Sequence, residues 1–171
     1  MSIRQLNITY LMSAAVAHKC RDSDSKELLG VSDQLAAVIA GASGAEINRV
    51  IHPEFTLFKP ILKGLNQKVV GGVGRRKVMG PLQGFGTAFL LAWKEENMRC
   101  PATARLRFGL SNQDAEVLEK ASIADLSFLA HPDTITFRPR LSSANFEKHL
   151  RSHSCSYDIE AARLAINLVG G

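Results

Sequence analysis

The sequence predicts a mainly α-helical chain built from two copies of one helical unit. Three observations carry this. The segment Gly30–Leu62 returns without a gap as Gly109–Leu141, at an offset of 79 residues. Each copy follows an apolar segment of helical period, opening near Ile3 in one case and near Phe85 in the other. Each copy then carries helix-start signals, a His-Pro stop and one strand-like run. Identities across the offset include Gly30/Gly109, Ser32/Ser111, Ala36/Ala115, Val38/Val117, Ser43/Ser122, His52/His131, Pro53/Pro132, Phe58/Phe137 and Pro60/Pro139. Conservative pairs include Glu46/Asp125, Ile47/Leu126 and Lys59/Arg138. A gap-free match of this length marks a repeated structural unit.

The elements follow in order. In residues 3–20, Ile3, Leu6, Ile8, Leu11, Met12, Ala15 and Val16 recur near helical spacing and predict a long first helix. The polar stretch 21–27 reads as a connection, ended by Gly30. Ser32 is placed to cap a short helix over 33–40, which Gly41 breaks. Ser43 and Glu46 form an S-x-x-E capping box that starts a second short helix reaching about Ile51. Ser122 and Asp125 are a weaker version in the second copy. Both copies stop at His-Pro, since a residue before proline is biased away from helix. His52 and His131 read as structural caps, able to bond the last helical carbonyls. The runs EFTLFKPIL and DTITFRPRL predict short strands, and their prolines suit an edge.

The predicted organisation is unit one at 1–63, a Gly-rich basic linker at 64–83, unit two at 84–142 and a helical tail at 143–171. The linker holds Gly71, Gly72, Gly74 and Gly80 around the run Arg75-Arg76-Lys77. Unit two opens on the apolar helix GTAFLLAWKEENM, in phase with the first helix: Tyr10 falls on Phe89 and Leu11 on Leu90. The tail begins polar and ends in the amphipathic segment 158–169.

A chain of 171 residues suits one domain or two small ones. No apolar run is long enough for a membrane span. The short stretch LMSAAVA has no basic segment before it and reads as core helix rather than signal peptide. The net charge of +5 permits an acidic partner such as DNA without requiring one. Cys20, Cys100 and Cys155 show no paired spacing, which points to a reducing, cytoplasmic setting.

Leu6-Asn7-Ile8-Thr9-Tyr10-Leu11 matches an aliphatic-Asn-aliphatic-Ser/Thr-Tyr-Leu helix opening, and Leu29-Gly30-Val31 matches a Leu-Gly-aliphatic turn downstream of it. On these residues, and on the register of Gln34–Phe58 after them, unit one resembles FlhD, a subunit of the flagellar master regulator. Unit two shares the later part, from Phe108-Gly109-Leu110 onward, but its first helix lacks the Asn-x-Ser/Thr-Tyr pattern. The resemblance implies a mainly helical regulator of transcription that pairs through its first helices. It also implies a zinc-binding, DNA-contacting partner of FlhC type. A tandem copy would reproduce the pair within one chain, about a pseudo-twofold axis. The interface residues would include Tyr10, Leu11, Phe89, Leu90 and Trp93.

Candidate DNA contacts fall in two groups. The paired short helices allow a helix-turn-helix reading, in which unit one offers Asn48 and Arg49. Unit two offers Asp125, Ser127 and Phe128 there, which suit phosphate and base edges poorly. Core packing and a protein-binding surface are the alternative for both. The second group, Arg75, Arg76, Lys77, Arg105, Arg107, Arg138 and Arg140, could contact phosphates without reading sequence. His149, His153 and Cys155 have ligand-like spacing but no evident fourth ligand, so no metal site is assigned. No catalytic constellation repeats or converges, and GGVGRR lacks the Gly-Lys-Ser/Thr ending of a phosphate loop. The expectation is therefore a non-enzymatic transcriptional regulator subunit without cofactor, acting on promoter DNA with an FlhC-like partner. The competing expectation is a protein-only adaptor or anti-regulator that occupies a regulatory partner without touching DNA.

Overall fold

A computed structural model describes residues 1–63 and 81–151. The basic run Arg75-Arg76-Lys77, together with His153, Cys155 and the amphipathic segment 158–169, lies outside the described residues. The described chain is mainly helical with a two-stranded sheet. Its elements are α1 (Ile3–Lys19), α2 (Ser23–Leu29), α3 (Asp33–Gly41), α4 (Gly44–Val50), β1 (Phe58–Leu62), α5 (Pro81–Arg99), α6 (Pro101–Phe108), α7 (Asn112–Lys120), α8 (Ile123–Leu129), β2 (Ile135–Pro139) and α9 (Ser143–Arg151).

The order of one long helix, three short helices and a strand thus occurs twice. The bounds of α3 and α4, moved by the repeat offset, fall on those of α7 and α8. The helix starts are chemical. Ser32 and Ser111 accept from the amides of Leu35 and Asp114, and Ser43–Glu46 and Ser122–Asp125 both close as reciprocal capping boxes.

Two expectations need correction. The polar stretch 21–27 is not a connection, because most of it forms α2. Asp22 caps that helix on Ser25, and Gly30 ends it in the left-handed region at φ 64°. Polar composition hid the helix, since Leu29 is its only fully buried residue. The predicted linker is also too long at its C-terminal end, because α5 begins at Pro81. Proline is compatible with a first helical position, where its missing N–H would have had no partner.

The two halves join at a common centre. Strands β1 and β2 pair antiparallel, with Phe58 opposite Pro139, Lys59 opposite Arg138 and Pro60 opposite Phe137. Of these, Lys59 and Arg138 are equivalent positions of the repeat, and the pairs on either side of them exchange under it. The ladder therefore has the symmetry of a twofold axis between these two residues. A two-stranded sheet has only edges, which is why both prolines are tolerated. Above it, α1 packs on α5, while α2 packs on β2 and α6 on β1, so each half braces the other's strand.

The core follows the same axis. Tyr10 stacks on Phe58 at 4.4 Å between ring centroids, and the equivalent Phe89 meets Phe137 at 5.4 Å. Phe58 and Phe137 meet edge-to-face at 5.4 Å. Burying each such ring contributes about 2 kcal/mol, so this cluster alone outweighs any single surface pair.

Candidate functional site

The residues of the Asn-x-Thr-Tyr motif are structural keystones. Asn7 is fully buried and saturates its amide: Nδ2 donates to the carbonyls of His52 (3.0 Å) and Phe55 (2.9 Å), and Oδ1 accepts from the Leu57 amide at 2.8 Å. It thereby fixes the loop that carries the chain from α4 to β1. Tyr10 donates its hydroxyl to the Leu29 carbonyl at 2.8 Å, at the end of α2, and burial pushes the phenol pKa well up. In unit two the position of Asn7 is Gly86, where a Cβ would lie 2.9 Å from the Ala130 carbonyl oxygen. Close approach of α5 to the end of α8 replaces the amide bracket there.

Tyr10, Leu11, Phe89, Leu90 and Trp93 are all buried in the core shared by α1 and α5. The indole Nε1 of Trp93 has no hydrogen-bond partner. Its place in the packed core therefore rests on its ring.

The candidate DNA residues part company. Asn48 is exposed on α4. Arg49 is partly buried and turns its Nη2 to the Leu150 carbonyl of α9 at 3.1 Å. Arg105 donates to Asn112 Oδ1 at 2.5 Å. Arg107 pairs with Glu96 at 2.5 Å and lies 4.0 Å from Glu54. Arg138 is exposed on β2. Arg140 is half-buried: it donates to the Leu106 and Arg107 carbonyls and to Thr56 Oγ1, and desolvation of its guanidinium brings its pKa down to about 10. It stays charged at neutral pH and caps the C-terminal end of α6, where a cation is favoured. The structure thus brings Arg107 and Arg140 together, but with Arg140 capping α6 at the Arg107 carbonyl and the Arg107 guanidinium paired with Glu96, not as a phosphate-facing row. Arg49, Arg107 and Arg140 are spent on the fold and Arg105 is half-buried against Asn112, which leaves Asn48 and Arg138 as the exposed groups among the described candidates.

The histidines cap in a different direction from the one expected. His52 Nδ1 accepts from the Glu54 amide at 3.1 Å, and His131 Nδ1 from the Asp133 amide at 3.2 Å. The imidazoles thus organise the turn after the helix instead of bonding its last carbonyls. The Asp133 carboxylate also lies 3.2 Å from His131 Nδ1. Burial lowers the His52 pKa, against the opposing effect of Glu54.

The tail differs from its polar reading. Helix α9 is amphipathic, buries Phe146 and Leu150, and packs on α3 and α4 of unit one. The corresponding face of unit two leaves Phe128 61% exposed. The sequence predicted a helical tail but neither its seat on α3 and α4 nor this contrast, and Phe128 registered there only as a poor base reader. Lys94 was also missed: its Nζ donates to the Glu119 and Ala121 carbonyls, closing the C-terminal end of α7. Among the described residues, no helix is long and apolar enough to cross a membrane, and no group of His, Cys, Asp and Glu is arranged to hold a metal ion. No family model, curated relative or solved structure matches this chain.

Proposed function

We propose that the chain is an FlhD-like subunit of a cytoplasmic transcription regulator that works by assembly and not by catalysis. An FlhC-like partner would supply most of the promoter contact, including base reading. The observation that carries this is the use made of Asn7 and Tyr10, two of the three polar residues of the FlhD-like motif. Both are buried and tie α1 to the loop and to α2, as a packing signature for a family fold requires. The motif is therefore spent on architecture, which leaves surfaces for partners.

A second reading has its own support. Three of the described candidate DNA residues, Arg49, Arg107 and Arg140, are engaged inside the molecule. That favours an adaptor that holds a regulatory partner without touching DNA. Purification of the native protein at endogenous level, with its partner identified and bound DNA sequenced, separates the two. The regulator reading expects a stoichiometric DNA-binding partner and enriched promoter fragments. A stoichiometric partner with no DNA enrichment assigns the adaptor role instead.

A further inference from the structure

In unit one, α9 fills a seat on α3 and α4. It runs from Ser143, whose Oγ lies 3.4 Å from that of Ser32 at the start of α3, to Leu150, held by Arg49 of α4. The cleft beneath is lined by Ala37, Val38, Gly41, Ala42, Glu46 and Leu150. Moved by the repeat offset, the seat falls on α7 and α8, where no other described helix stands in the place of α9.

The chemistry of that second face has changed in one direction. Val38 is matched by Val117, 36% exposed, and Arg49 by Phe128, 61% exposed. The small neutral residues Ala37 and Ala40 are matched by Glu116 and Glu119, while Asp125 keeps the acid of Glu46. Lys120 is the opposing exposed cation, and Lys94 is tied to backbone carbonyls. The face is thus more apolar and more acidic than its counterpart. Nucleic acid is disfavoured there by charge.

We infer that the α7–α8 face is a docking surface for a basic amphipathic helix of a partner protein. The helix would lie as α9 lies on unit one, with an apolar i,i+4 pair over Val117 and Phe128 and basic residues toward Glu116, Glu119 and Asp125. The pattern to expect is that of α9 itself, in which Phe146 and Leu150 face inward and Lys148 is exposed. The inference rests on the comparison of the two halves and not on the regulator reading.

The test uses the full chain and a fluorescent synthetic peptide of residues 141–153 as the probe. The seat on unit one is held by a tethered α9 at high effective concentration, so the free peptide reports on unit two. Saturable binding is expected, with amide shifts confined to α7 and α8. Phe128→Asp should weaken it about tenfold or more, as loss of a central anchor does. Val117→Asp serves as a second variant should the first alter the thermal midpoint. A peptide with Lys148 and Arg151 replaced by glutamate should also bind about tenfold more weakly, because like charges then meet across the contact. Absence of binding overturns the inference, whatever fills the face, including the chain's own 64–80 or 152–171. Shifts centred on α3 and α4, or binding indifferent to both variants, overturn it as well. No DNA or FlhC-like protein enters the experiment, so its failure leaves the regulator reading standing, and the reverse also holds.

Discussion

Gly30 sits where three constraints meet: it ends α2, holds φ 64°, and passes so close to β2 that a Cβ would overlap the Phe137 carbonyl oxygen. Gly30→Ala should therefore destabilise by about 2 kcal/mol or more, since neither the dihedral nor the space admits a side chain. Gly41→Ala is the control. No atom lies within 4 Å of the added Cβ and the dihedral is not left-handed, so the change should stay within about 1 kcal/mol, on the stabilising side. Chemical denaturation of both variants checks the contrast, and equal effects would deny the close approach of the halves. His52 supplies a pH prediction. Its folded pKa is depressed mainly by burial, so the folded state resists protonation. The His52 contribution is then fully present above the unfolded value, about 6.5, and is lost as pH falls through the folded one. His52→Asn keeps an acceptor for the Glu54 amide and removes the titration. Its midpoint should vary less between about pH 5 and 7 than the parent's. An unchanged pH profile would assign the titration to another group.

At the scale of elements, legibility followed chemistry that acts locally. Ser32, Ser43 and Ser122 bond amides three residues on, so their helices could be read from short patterns alone. Helix α2 could not. Its sequence, SDSKELL, has almost no apolar period, and it is held by the Asp22 cap at one end and by Tyr10 and Gly30 at the other. The seat of α9, predicted only as part of a helical tail, was hidden for a related reason, because its two apolar residues are anchored on a unit more than a hundred positions earlier in the chain. The candidate arginines were legible as charges but not as caps, since Arg140 reaches the end of α6 only after β2 has paired with β1. The long helices carry the element-level prediction. Leu11 is 1% exposed between α1 and the rest of the core, so Leu11→Asp buries a charge that no described neighbour can pair. A loss of about 4 kcal/mol or more is expected, enough to prevent folding in a domain of ordinary stability. Circular dichroism melts decide it, and a parental midpoint would place this face in solvent.

For the whole molecule, the defining feature is how the two halves join: β1 pairs with β2 through Lys59 and Arg138, α1 packs on α5, and Phe58, Phe89 and Phe137 share one aromatic cluster. The halves differ in one respect: α9 covers α3 and α4, whereas among the described residues no helix covers the more apolar and acidic face of α7 and α8. With Arg49, Arg107 and Arg140 engaged inside the molecule and a net charge of only +5, association with DNA by the chain alone should be weak and salt-sensitive. The most direct test of the account is fluorescence anisotropy with a duplex recovered from the native complex and with a scrambled duplex, each at two salt concentrations. The measurement is made on the chain alone, on the chain with its co-purified partner, and on a variant with Arg75, Arg76 and Lys77 replaced by alanine. The account predicts weak, sequence-indifferent binding alone and tight, specific binding with the partner. The variant should keep its thermal midpoint and show a salt slope shallower by up to about 3, as fewer counterions are released. Tight, sequence-specific binding by the isolated chain, or no gain on adding the partner, would contradict it.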